Sequence, residues 1–201
     1  MTQTKQVRPK NPVPLQWGGC YHIYNRGVNR ENIFIEERNY AYFLALYARY
    51  ILPIADTYAY CLLRNHFHFL VRLKDFKEVE GQKEPSQYFS NLFNAYAKTI
   101  NLTYDRTGSL FQRPFGRVRV DSDVYFINLI PYIHQNPQRH GFVDDYRDWP
   151  YSSYRALIGS SETKVDRETV LGWFGGLDEF KTSHIREGII SDVYYLIADD
   201  E

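Results

Sequence analysis

Two histidines separated by one hydrophobic residue, in Arg64-Asn65-His66-Phe67-His68-Phe69-Leu70-Val71-Arg72, give the first chemical signal in the chain. In an extended strand successive side chains point to opposite faces, so His66 and His68 share one face and Phe67, Phe69 and Val71 share the other. Two imidazoles then converge where one divalent metal ion could sit, although two ligands make an open site that needs help from elsewhere. The plainer alternative is a pair of sheet histidines with their tips in water. On the metal reading both side chains should be solvent-reachable ligands and not core. A second group lies in Pro131-Tyr132-Ile133-His134-Gln135-Asn136-Pro137. Tyr132 and Asn136, four apart, fall on one face of a helix with Gln135 close to it, which sets a phenol beside carboxamides able to lend an oxygen to a metal.

The elements that must position these residues follow from periodicity. A first strand reads over 19–26, and a helix from about Glu36 to Leu52 carries Tyr40, Phe43, Leu44 and Tyr47 at spacings of three and four before Pro53. Residues 54–63 read as a second strand, joined to the His66 strand across Arg64-Asn65 as a hairpin. Pro85-Ser86 opens a second helix to about Ile100, and 115–120 alternates as a fourth strand. Asp121-Ser122-Asp123 caps a third helix that ends at Asn136-Pro137. Pro131, late in that helix, should kink or break it. Strand, helix, strand, strand, helix, strand is the order of a ferredoxin-like antiparallel sheet, βαββαβ, of α+β class. The first two helices then pack on one face and leave the other free for chemistry. The tyrosine-bearing helix and a short helical tail follow, the tail with helices at Arg167–Phe174 and from Leu177 to Arg186. Residues 1–16 read as a flexible arm, 17–145 as the main domain, and 146–201 as a helical extension packed on it.

Composition limits the function classes. The chain of 201 residues is long enough to bury a real core. Its 17% aromatic content, with 18 Tyr and 13 Phe, supplies both packing mass and stacking surfaces. Formal charge is zero, with 24 basic and 24 acidic residues, so a basic patch can arise only by segregation. Cys20 and Cys61 suit buried thiols in a reducing compartment. No segment has the character of a signal peptide or a membrane span, and the expectation is a soluble cytoplasmic protein with no membrane partner.

Taken together, Asn65-His66-Phe67-His68, Gly108-Ser109-Leu110-Phe111-Gln112, Tyr132-Ile133-His134-Gln135-Asn136-Pro137 and Trp149-Pro150-Tyr151-Ser152-Ser153-Tyr154 resemble the single-tyrosine HUH transposases. The resemblance is closest to the branch called REP-associated tyrosine transposases, and it runs from about Gly18 to Tyr154. It implies a nuclease that cuts single-stranded DNA through a covalent 5′-phosphotyrosine link and rejoins strands by the reverse step. It further implies Tyr132 as nucleophile, His66 and His68 as ligands of Mg²⁺ or Mn²⁺, and Asn136 as third ligand with Gln135 as the fallback. The implied partner is single-stranded DNA bearing a hairpin, met by a monomer or a homodimer. A non-catalytic DNA-binding descendant of a transposase and a replication-initiator or relaxase-type nuclease are the alternatives.

Other residues take lesser places. Tyr125, two helical turns before Tyr132, is the competing nucleophile. His134 points to another side of the helix and reads as a packing or hydrogen-bonding residue, and His22 reads as a structural histidine that could line the metal face. Arg106, Arg113, Arg117 and Arg119, interleaved with Phe111 and Phe115, suit the phosphates and bases of a single strand; the bland alternative makes Arg117 and Arg119 a solvated strand face.

Overall fold

The computed structural model describes residues 13–81 and 83–185. Four strands, β1 (Cys20–Arg26), β2 (Ala55–Leu62), β3 (His66–Leu73) and β4 (Gly116–Arg119), form one sheet in the order β2-β3-β1-β4. Every neighbouring pair is antiparallel. With α1 (Glu37–Tyr50) between β1 and β2 and α2 (Pro85–Thr103) between β3 and β4, this is the ferredoxin-like α+β arrangement. The β2–β3 hairpin closes through the Leu63 amide donating to the His66 carbonyl at 2.8 Å.

Local chemistry explains the boundaries. Glu36 and Asn39 form a reciprocal capping box at the start of α1. Pro85 opens α2, where its missing N–H costs nothing. Alternation sends Phe67, Phe69 and Val71 to the face covered by α1 and α2. There Phe43 lies 5.2 Å from the Phe67 ring, and Phe93 lies 5.5 Å from it. Burial of these rings, each contributing about 1.5–3 kcal/mol, makes this the main core.

The opposite face is not left open. Helix α3 (Asp123–Arg139), capped by the Ser122 hydroxyl, lies across it, with Phe126 against Tyr58 and Tyr132 against His68. The helix runs through both Pro131 and Pro137, so neither proline ends it where the sequence suggests. Beyond it come α4 (Tyr154–Ile158), α5 (Arg167–Phe174) and α6 (Leu177–Ser183). Arg186, the expected end of the last helix, is outside the described residues. The segment after α3 occupies the outer edge of β2, by the bridges Cys61↔Ser152 and Thr57↔Val165 and by Trp149 Nε1 donating to the Leu62 carbonyl at 2.9 Å. A sheet edge that could template further pairing is thereby covered. Of the expected N-terminal arm, residues 13–16 are described; Leu15 is buried and the Gln16 amide donates to the Tyr21 hydroxyl. Cys20 and Cys61 are free thiols. Among the described residues no helix is long and apolar enough to cross a membrane.

Candidate metal and nucleophile site

His66 and His68 stand on the face of β3 that α3 covers, with ring centroids 5.3 Å apart and planes perpendicular. Strand register sets Tyr24 of β1 opposite His68 and Arg26 opposite His66. The neighbouring His22 stacks on His68, and its Nε2 lies 2.9 Å from His68 Nδ1. His66 Nδ1 lies 2.7 Å from the Asn65 side-chain oxygen, which can only accept. The proton therefore sits on Nδ1 of His66, and Nε2 keeps the lone pair a metal would need.

Both imidazoles are buried, at 7% and 3% exposure, where solvent-reachable tips were expected. Burial pushes the His66 pKa down to about 3, helped by the nearby His140. Burial likewise holds His68 well below the usual histidine range, with His22 next in effect. Neutral imidazoles are the form that binds metal.

Helix α3 brings the second group to the same place. The Tyr132 ring meets His68 edge to face at 5.9 Å, and the Arg139 guanidinium lies 5.4 Å from the Tyr132 centroid. Asn136 donates its amide to the Tyr132 carbonyl at 2.9 Å, and its side chain adjoins His66. The Asn136 side-chain oxygen, by contrast, is buried with no hydrogen-bond partner. An orphaned acceptor beside two neutral imidazoles is what a hard divalent cation would satisfy, so the donor set fits Mg²⁺ or Mn²⁺. Among the described residues no cluster of three or more His, Cys, Asp and Glu side chains could hold a metal, so a third donor would have to be of another residue type, such as this amide. All three donors are neutral, and an anionic phosphate would have to balance the ion.

Other expected residues are placed elsewhere. Gln135 donates to the His184 carbonyl at 2.6 Å and so turns toward the tail instead of the histidine pair. Tyr125 is half-buried, its hydroxyl unpartnered, and burial pushes its pKa up. His134 is wholly buried between His184 and Ser153, a hydrogen-bonding residue as its position suggests.

The arginines do not form one patch around the histidines. Register pairs Arg117 with Ile23 and Arg119 with Tyr21, which sends both to the face carrying α1 and α2. Arg117 lies over the Phe115 ring at 4.5 Å, and Arg119 donates to the Gln16 side chain at 2.6 Å. Arg106 pairs with Glu31 at 2.7 Å, and Arg113 is exposed. Phe111 is core, packed on Phe67, Phe93 and Tyr96. His22 adjoins the histidine pair, as its place on β1 allowed, and so do Asn65 and His140, to which the motifs gave no such place; the alternation His22-Tyr24-Arg26 in β1 is the signal for His22 alone.

No family model matches the chain. It is similar to a candidate REP-associated tyrosine transposase of Haemophilus influenzae, 28% identical over 103 residues, which are 49% of this chain and 58% of that relative. The chain thus spans little more than half of the relative's length. In fold it matches a REP-associated tyrosine transposase solved bound to a REP hairpin, with a TM-score of 0.58 and 14% identity over 80% of this chain and 94% of that one. The resemblance read from the motifs therefore holds in both sequence and fold.

Proposed function

With the likeness to REP-associated tyrosine transposases as premise, we propose that this chain is a metal-dependent single-stranded DNA endonuclease and strand transferase working through a 5′-phosphotyrosine intermediate. The observation that carries the reading is the meeting of Tyr132 with His68 while the side chain of Asn136, its oxygen buried and unpartnered, adjoins His66.

His66, His68 and Asn136 would hold the ion. A bound Mg²⁺ or Mn²⁺ supplies Lewis-acid polarisation of the phosphate and stabilises the departing oxygen. The rest belongs to the chain itself. The Tyr132 oxygen attacks phosphorus, the bond from phosphorus to the 3′ oxygen breaks, the phenol gives up its proton, and the 3′ oxygen takes one up. One phosphodiester replaces another, so the reverse attack by a 3′-hydroxyl rejoins strands without a nucleotide cofactor. Arg139 places positive charge beside the phenol, where an entering phosphate needs it. A hairpin-bearing single strand is the proposed substrate, by analogy with the REP hairpin that the structural neighbour binds.

The 3% exposure of Tyr132 favours a second reading, DNA binding without cleavage, because the phenol must be uncovered to react. One experiment separates the two. DNA labelled downstream of the cut is incubated with protein and Mn²⁺, denatured, and examined for label moving with the protein. The wild type is expected to form the adduct and Tyr132→Phe to form none while still binding DNA. Adduct persisting in Tyr132→Phe would pass the role to another tyrosine, Tyr125 first. Binding by the wild type with neither cleavage nor adduct would establish the second reading.

A further inference from the structure

A cleft of about 500 Å³ lies between α2 and the segment 108–117, on the sheet face away from the histidine pair. Helix α2 turns Asn94, Lys98 and Asn101 into it, and the facing segment brings Arg113, Phe115 and Arg117. Three of the lining residues are cations and none is acidic, although the chain as a whole has no net charge. This is the segregation of charge that a neutral chain needs to attract an anion.

Two buried polar atoms in the lining lack partners, the side-chain oxygen of Asn101 and Nε of Arg117. The Asn101 amide nitrogen is committed to the Gly108 carbonyl at 2.9 Å, which fixes its oxygen as a free acceptor. Arg117 Nε is a free donor, and the guanidinium carbon lies over the Phe115 ring at 4.5 Å from its centroid. An acceptor and a donor of fixed position, a guanidinium lying on an aromatic ring, and two exposed cations match the edges, the face and the phosphate of one nucleotide. The volume is in the range of a small-ligand pocket. Position links the cleft to the candidate site: Asn25, in its wall, precedes Arg26, the register partner of His66. The Asn25 wall of the cleft therefore lies at the sheet end where His66 lies.

We propose that this cleft seats an unpaired nucleotide of the DNA strand presented to His66 and His68, a positioning subsite outside the catalytic centre. The proposal rests on the DNA reading above. It commits Arg113, Phe115 and Arg117 to DNA together with α2, and leaves Arg106 and Arg119 to their protein partners.

The test compares two fluorescein-labelled hairpin oligonucleotides with the same stem, one blunt and one carrying a 5′ extension of random sequence. The variants are Asn94→Trp, which fills the cleft from an exposed position, and Lys98→Glu, which reverses a cation. Each is expected to weaken the extended hairpin by about tenfold, the worth of one stacked base, and the blunt hairpin by less than about twofold. In a second measurement, 5-iodouracil in the extension is expected to photocrosslink to the 108–117 segment. Wild-type affinity for both probes in both variants, or equal loss with both probes, would overturn the subsite and leave the DNA reading standing. Failure of the wild type to bind either probe would instead overturn the DNA reading and the subsite with it.

Discussion

The contact between His22 and His68 has two facing nitrogens, 2.9 Å apart, and room for one proton between them. If Nε2 of His68 holds a metal, Nδ1 must carry the proton and His22 Nε2 must accept it. His22 then bears its own proton on Nδ1, which is buried without a partner, at a cost of about 1–3 kcal/mol. The reverse tautomer leaves only a lone pair unmet, but it puts a proton on the nitrogen the metal needs. His22 thus sets the state of a proposed ligand without itself touching the metal. Replacing it separates shape from acceptor. His22→Gln keeps an acceptor near Nε2 and is expected to bind Mn²⁺ nearly as the wild type does. His22→Leu, of similar bulk, is expected to lose ten- to hundredfold in Mn²⁺ affinity by calorimetry, with unchanged circular dichroism. Equal affinity in both variants would reduce the contact to packing.

Strand β4 is only four residues long and pairs with β1 alone, so its attachment depends on what crosses that seam. The Tyr24 ring crosses it, directly over Gly116, where an added Cβ would lie 2.0 Å from the ring. The same ring stacks on His68 at 6.1 Å and meets His22 at a tilt, 5.0 Å between centroids. Gly116→Ala must therefore displace either Tyr24 or the strand, and is expected to cost about 1–3 kcal/mol in urea unfolding. An unchanged midpoint would show that Tyr24 yields without loss. Period and spacing made β1, β3, α1 and the shared face of His66 and His68 legible, because those follow from strand and helix geometry alone. The same alternation placed Arg117 and Arg119 on the other face once β4 paired with β1, a register that a four-residue strand does not announce. In sequence the i,i+4 spacing from Tyr132 sets Asn136 ahead of Gln135 without excluding the latter. The docked tail, which takes the Gln135 amide, turns that residue away from the histidine pair. The five residues of α4 are too few to show a period, and Pro137 reads as a stop because the packing that carries α3 through it is tertiary.

The tail and the tyrosine helix are joined by one buried chain of hydrogen bonds, and it makes the stability of the whole protein depend on pH. His184 Nδ1 lies 2.7 Å from the Phe180 carbonyl and must donate to it, so His184 Nε2 accepts from His134 Nδ1 at 2.8 Å. His134 Nε2 in turn accepts from the Ser153 hydroxyl at 2.7 Å, and the Tyr60 amide of β2 donates to that hydroxyl at 2.8 Å. Each donor meets an acceptor only while both imidazoles are neutral. The rings of Tyr146, Tyr154, Phe174 and Phe180 enclose His184, while Arg139, Asp145 and Arg147 share with it the lining of the adjacent cleft. Burial lowers the His184 pKa to about 4, and burial followed by His184 holds His134 well below its ordinary 6.5. Between 6.5 and about 4 the unfolded chain binds protons that the folded chain refuses. The stabilisation is therefore complete above 6.5 and is lost as pH falls, by about 1.4 kcal/mol per pH unit for each imidazole. Urea midpoints are accordingly expected to drop steadily from pH 7 to pH 5. His184→Gln keeps an acceptor for His134 but removes one titrating group, and is expected to flatten the slope by about one proton. A wild-type midpoint that stays level over this range would show that the chain takes up protons here without opening, and the coupling of the tail to α3 through neutral imidazoles would fail.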